Sequence, residues 1–195
     1  MPSYKVIYFN ARGKAEVSRF ILAKAGVEFE DVRHEREQFT PIKDTLPFGQ
    51  LPVLEVDGKM IAQSYAMEKF LAKRFGLYGK DEFEEARIDE VALGMEDVIM
   101  PLHGMHFEKD EEKKAELKKT YEEQTLPNCL KFVERLLCQN NGGDKFFVGD
   151  SLSLADLRFF HYISFPKVFN AKMNMEAYPK LNALMQRVES DEKIA

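Results

Sequence analysis

Tyr8 stands at the end of the run Ser3-Tyr4-Lys5-Val6-Ile7-Tyr8-Phe9, just before the turn-forming stretch Asn10-Ala11-Arg12-Gly13-Lys14-Ala15-Glu16. A phenol placed where a strand gives way to a helix start can donate a hydrogen bond to a sulfur anion. That matters because a thiol with an ordinary pKa of about 8.5 is mostly protonated at neutral pH, and the thiolate is the nucleophile. The dipole and free N–H groups of a helix start favour negative charge at the same place, and Lys14 adds a positive one. Charge-assisted hydrogen bonds of roughly 1.5–3 kcal/mol each shift a thiol pKa down by about one to two. Taken alone, Tyr8 is more ordinarily an aromatic that packs in a strand.

Two further features carry the same kind of chemistry. Leu51-Pro52-Val53 puts a proline directly ahead of an apolar strand. A cis bond there would turn the Leu51 backbone N–H and C=O outward to pair with an extended peptide, although trans is the commoner form. Gln63-Ser64 opens a helical stretch, where a hydroxyl and unpaired backbone N–H groups can hold a carboxylate. Ser64 as a plain N-cap is the commoner use. His103 and His106, three residues apart, can share a helix face, but a zinc site needs three or four ligands and no third is evident, so no metal is expected. Cys129 and Cys138 fit neither a metal motif nor a redox pair. Their helical separation argues against a disulfide, and both are expected as reduced structural thiols.

The elements that must position these residues alternate in the first part of the chain. Residues 5–9 read as a strand, 14–25 as a helix closed by Gly26, and 29–33 as a second strand. Residues 39–46 form a weak helix or turn. Residues 53–56 and 60–62 flank Asp57-Gly58, a strong hairpin signal, and 64–75 form a helix ending at Gly76. The order βαβ-α-ββα makes a mixed four-stranded sheet and resembles a thioredoxin-like domain. Gly76 to Asp81 breaks the pattern. Beyond it, residues 82–107 and 111–139 read as two long helices, with Pro101 and Pro127 expected to kink or interrupt them. Leu126, Leu130, Val133 and Leu137 form an apolar stripe in the second. Ser153 and Asp156 have capping-box spacing before the apolar run 157–165, and Tyr178-Pro179 starts a last helix with Leu181, Leu184, Met185 and Val188 on its apolar face. The expected division is residues 1–77 as an α/β domain, 78–82 as a linker and 83–195 as an all-α domain.

Composition narrows the function classes. Of 195 residues, 45% are hydrophobic and 31% charged, which suits a globular protein with a sizeable core. The net charge of -5 and the mixing of Lys and Glu, as in Glu111-Glu112-Lys113-Lys114, argue against a nucleic-acid partner. No apolar run approaches the length of a membrane span, and the first residues carry no secretory pattern, so a cytoplasmic protein is expected.

Together, Tyr8, the Arg12-Gly13-Lys14-Ala15-Glu16 run, the stretch from Leu46 through Gln50-Leu51-Pro52-Val53 to Asp57-Gly58, and Gln63-Ser64 resemble the glutathione site of a cytosolic glutathione transferase, most nearly of the sigma class. In the second half, Phe147-Val148-Gly149-Asp150-Ser151-Leu152-Ser153-Leu154-Ala155-Asp156-Leu157 matches that family's folding motif. The resemblance runs the length of the chain. It implies conjugation of glutathione, the cosubstrate, to small hydrophobic electrophiles, with Tyr8 stabilising the thiolate and Lys14 assisting. It also implies that Phe39 and Lys43 contact the glycyl end, that Gly49, Gln50, Leu51 and Pro52 hold the cysteinyl part, and that Gln63 and Ser64 bind the γ-glutamyl carboxylate. Asp97 would reach the γ-glutamyl amine of the neighbouring subunit in a homodimer. Phe9, Met95, Ile99, His103 and Phe107 are candidates for the hydrophobic-substrate pocket, with helix packing an equal alternative for each apolar one. Lys14 stands where an arginine is usual and Phe39 where a tryptophan is usual. Gly104 and Leu93 depart from the pocket tryptophan and the acidic metal cluster of a prostaglandin synthase. The alternatives are a non-enzymatic structural protein like the S-crystallins, or a glutathione-dependent prostaglandin isomerase.

Overall fold

A computed structural model describes residues 2–194. The chain divides into two units, Met1–Tyr78 with Glu192–Ala195, and Gly79–Asp191.

In the first unit, strand β1 (Tyr4–Phe9) runs parallel to β2 (Glu30–His34) and antiparallel to β3 (Val53–Val56), which pairs with β4 (Lys59–Ala62). The order β2-β1-β3-β4 gives the mixed sheet expected from the sequence. Asp57 and Gly58 both take positive φ, which a two-residue turn matching strand twist requires. Helix α1 (Glu16–Ala25) follows a 3-10 turn at Gly13–Ala15 and ends at Gly26 in the left-handed region (φ 66°). Helix α2 (Arg36–Ile42) starts earlier than the weak helix expected over 39–46, because Glu35 and Gln38 form a capping box. A 3-10 turn at Lys43–Thr45 completes that stretch. Helix α3 (Ser64–Arg74) closes the unit. Val6, Ile21, Leu22, Val53, Leu54, Met67 and Leu71 are fully buried and form its core.

The second unit is helical. The single helix expected over 82–107 is two, α4 (Glu82–Gly94) and α5 (Glu96–Phe107). The break falls at Met95, directly after Gly94, a poor helix former that ends α4, while Pro101 lies inside α5 without ending it. The stretch 111–139 comprises α6 (Glu111–Thr120), a π turn at Tyr121–Thr125 and α7 (Leu126–Gln139). Pro127 has no N–H for the normal i→i−4 ladder. The wide turn places it in the first turn of α7, where none is needed. The expected stripe of Leu126, Leu130, Val133 and Leu137 is buried. Helix α8 (Leu154–Tyr162) begins with the Ser153–Asp156 capping box, and the apolar run breaks into a short α9 (Phe165–Val168). Helix α10 (Pro179–Glu189) buries Leu181, Leu184 and Val188, with Met185 only partly covered. No helix among the described residues is long and apolar enough to cross a membrane.

Candidate glutathione site

At the end of β1 the Tyr8 hydroxyl accepts a hydrogen bond from the Lys14 backbone N–H at 3.3 Å. That bond occupies a lone pair of the phenol oxygen and leaves the hydroxyl's own proton to donate. The approach depends on Gly13. Its φ is 41°, and a Cβ there would lie 2.6 Å from both the Tyr8 Oη and Cε1. Only glycine lets the turn come this close to the phenol. Tyr8 is half-buried and its ring meets Phe9 edge-on, with centroids 5.5 Å apart.

Beside this turn lies a small cavity of about 100 Å³, lined by Lys14, Phe48, Gln50, Leu51, Pro52, Gln63 and Ser64. Six residues named from the sequence therefore converge on one recess. The Leu51–Pro52 bond is cis. Gln63 stands just before α3 with φ 70° and ψ 113°, a conformation that non-glycine residues seldom adopt and that clusters at ligand sites. Its side chain makes no cap bond, so it leaves the first N–H groups of α3 to other acceptors. A recess of this size takes one end of a peptide, and a helix start with a lysine beside it suits a carboxylate.

Three named residues of the first unit flank the cavity without lining it. Phe39 packs on the cluster of Ile7, Leu46 and Val53, its ring 5.4 Å from Phe9. The Lys43 side chain passes over Gly49, whose φ of 57° fits only a glycine comfortably and whose notional Cβ would sit 3.4 Å from Lys43 Cε. Phe48, which the sequence reading did not single out as a site residue, lines the cavity and is 66% exposed. The only signal for it was its place inside the matched 46–58 stretch.

In the second unit, Asp97 is exposed in the first turn of α5 and lines a shallow recess with Met100, Pro101, Cys129 and Phe132. Burial, and then the Asp97 charge, push the Cys129 thiol pKa up, which suits an unreactive cysteine. Both cysteines are free thiols. Met95 and Ile99 are fully buried. For these two the packing alternative fits. His103 is half-buried, and Phe107 is 73% exposed with His106 against its edge at 5.0 Å. Among the described residues no group of three or more His, Cys, Asp or Glu side chains could hold a metal ion.

Family models for the glutathione S-transferase N-terminal domain and the glutathione S-transferase C-terminal domain match residues 4–73 and 96–195. The chain is 36% identical to S-crystallin SL11 of Nototodarus sloanii over 196 residues, covering 100% of this chain and 95% of that one. It is 37% identical to hematopoietic prostaglandin D synthase of Gallus gallus over 196 residues, with 100% and 94% covered. A Nu-class glutathione transferase from Haemonchus contortus superposes with a TM-score of 0.89 at 36% identity, again over 100% of this chain and 94% of that one. The protein belongs to the glutathione S-transferase family.

Proposed function

We propose that this protein conjugates reduced glutathione to small hydrophobic electrophiles, as a sigma-class transferase. The observation that carries this is the Tyr8 hydroxyl, which accepts the Lys14 N–H and keeps its own proton to give. Glutathione lies with its γ-glutamyl carboxylate at the start of α3, against Ser64 and Gln63, and its cysteinyl backbone along Leu51. Its sulfur points to Tyr8. The Tyr8 O–H donates to the sulfur, and the thiolate it stabilises attacks the electrophilic carbon while the leaving group departs. Lys14 adds positive charge but lacks the planar fork of an arginine. Lys43 binds the glycyl carboxylate and Phe39 backs that end of the ligand. The candidate contacts for the electrophile are those named from the resemblance: Phe9, Met95, Ile99, His103 and Phe107. The protein works in the cytoplasm as a homodimer, in which Asp97 binds the γ-glutamyl amine held by the neighbouring subunit.

A crystallin-like role is the second reading, favoured by the similarity to S-crystallin SL11. Prostaglandin isomerisation fits less well, since Gly104 and Leu93 remove an aromatic wall and an acidic ligand. Conjugation to a generic aryl halide, measured for the wild type and Tyr8→Phe, separates the first two. Loss of one donor to a developing or stabilised anion costs about 10²-fold in rate. A wild type that binds glutathione but turns over no faster than Tyr8→Phe favours the structural role.

A further inference from the structure

Behind the Tyr8–Lys14 contact lies a buried cation outside the cavity. Arg19, on the second turn of α1, has a side chain only 8% exposed. Its Nη1 donates to the carbonyl oxygens of Ala11 (3.0 Å) and Arg12 (3.3 Å) and to Glu16 Oε2 (2.8 Å). Its Nε donates to Asp31 Oδ1 on β2 at 3.0 Å, and the other oxygen of Asp31 takes Arg33 Nε at 2.8 Å. Glu16 in turn accepts from Arg12 Nε at 3.0 Å. One guanidinium thus ties the helix and the neighbouring strand to the two residues just before Gly13.

We infer that Arg19 is a positioning residue for thiol activation: it holds the 11–12 turn so that the Lys14 N–H reaches the Tyr8 hydroxyl. The inference rests on the transferase reading above. The physical reason is the shape of the turn. Carbonyls 11 and 12 point inward to Arg19, so Gly13 takes a positive φ and the following N–H faces the phenol. With the N–H donating, the phenol oxygen carries less negative charge and its proton becomes a better donor to the thiolate. If the turn relaxes outward by a few tenths of an ångström, the 3.3 Å contact to the phenol is lost first, because it is already long for a hydrogen bond. A planar fork is needed, since a lysine cannot serve the turn carbonyls, Glu16 and Asp31 at once.

The test is the pKa of glutathione bound to the whole protein, followed by thiolate ultraviolet absorbance against pH. The set is wild type, Tyr8→Phe, Arg19→Met and Arg19→Lys, each with a thermal melt. The expected result is a rise of about one in the bound-thiol pKa for Arg19→Met, and hence about a tenfold drop in kcat/KM near neutral pH. The KM for glutathione should move less than kcat, because the cavity around Gln50 and Ser64 is untouched. Arg19→Lys should restore part of the shift. An Arg19→Met protein that melts lower but binds glutathione with the wild-type thiol pKa overturns the inference and leaves Arg19 purely structural. If Arg19→Met does not fold, Asp31→Asn, which weakens the Nε anchor and the Arg33 contact but leaves Arg19's bonds to the turn carbonyls and Glu16 in place, must raise the thiol pKa in the same direction, and no rise overturns it. A wild type whose bound thiol matches that of Tyr8→Phe defeats the transferase reading itself. A difference between those two with none at Arg19 defeats only the positioning role.

Discussion

Two tyrosines, one in each unit, spend the same hydroxyl in opposite ways. Tyr121 is buried in the π turn and donates its proton to the Val98 carbonyl of α5 at 3.0 Å. Burial pushes its pKa well above the ordinary value, so it stays a neutral donor locked to the fold. Tyr8 is half-exposed and accepts from a backbone N–H. The helix starts beside the cavity differ in the same way from several elsewhere, although α2 in the first unit has a capping box and α5, α7 and α10 in the second begin without a side-chain cap bond. In the second unit, Asp81 caps α4 by accepting from Phe83 N and Glu84 N, Asp110 caps α6, and Ser153 with Asp156 caps α8. In the first unit, α1 and α3 begin with no side-chain cap bond. Where the protein fills its own donors the region holds structure together. Where it leaves them open the region can hold an anion.

The largest effect that would sharpen this contrast is at Asp156. Its carboxylate is fully buried and accepts from Phe147 N (2.9 Å), Ser153 N (2.8 Å) and Ser153 Oγ (2.7 Å). Asp156→Ala strands two buried N–H groups and a hydroxyl, each costing about 1–3 kcal/mol, so a loss of about 4 kcal/mol is expected in urea unfolding. Glutathione bound to the still-folded variant should keep its wild-type thiol pKa. Burial also pushes the Asp156 pKa up to about 6, against the pull of its three donors. An acid whose folded pKa lies above its unfolded value of about 3.9 binds more protons when folded. Its contribution is therefore complete below about pH 4 and lost as pH rises through about 6. Stability measured across that window should fall in the wild type and stay flatter in Asp156→Asn. A flat wild-type profile breaks the account of Asp156.

The features that could be read from the sequence are those whose cause is local. Asp57-Gly58 specified its turn, Gly26 its left-handed cap and Ser153–Asp156 its box, because each depends on residues a few positions apart. The convergence of Lys14, Gln50, Leu51, Pro52, Gln63 and Ser64 on one cavity followed once the sheet order was right. Other features depend on tertiary context. Helical periodicity marks Met95 and Ile99 as buried but cannot tell a core residue from a pocket wall. Periodicity also runs straight through Gly94 and Met95, where one helix ends and the next begins. The positive φ of Gln63 has no local signature, since glutamine gains nothing from it and the surroundings must impose it. Arg19 reads as a surface residue by type, and only the folded turn shows its four partners.

A smaller effect, of the opposite kind, is expected at Gly13. Gly13→Ala places a methyl group in the space of the Tyr8 hydroxyl and imposes a positive φ on alanine. The backbone strain costs about 1–2 kcal/mol of stability. Displacing the phenol by about 1 Å should lower kcat by up to about 10²-fold. Steady-state conjugation kinetics checks this, and full activity in a folded Gly13→Ala protein would mean the close approach of turn and phenol has no chemical role.

The smallest effect belongs to Tyr121→Phe, the counterpart of Tyr8→Phe. It removes one net hydrogen bond, worth about 1 kcal/mol, and leaves a Val98 carbonyl that still has a second lone pair for its helix partner. The unfolding midpoint should move slightly and kcat not at all. Set beside Tyr8→Phe, which should move kcat while hardly touching stability, it makes a crossed pair of otherwise identical substitutions. If both variants lose activity, or both lose only stability, the division between a hydroxyl committed to the fold and one left for a ligand does not hold. The melting curves and rates of two one-atom deletions are enough to decide it, because the ring stays in place in both and only the oxygen is lost.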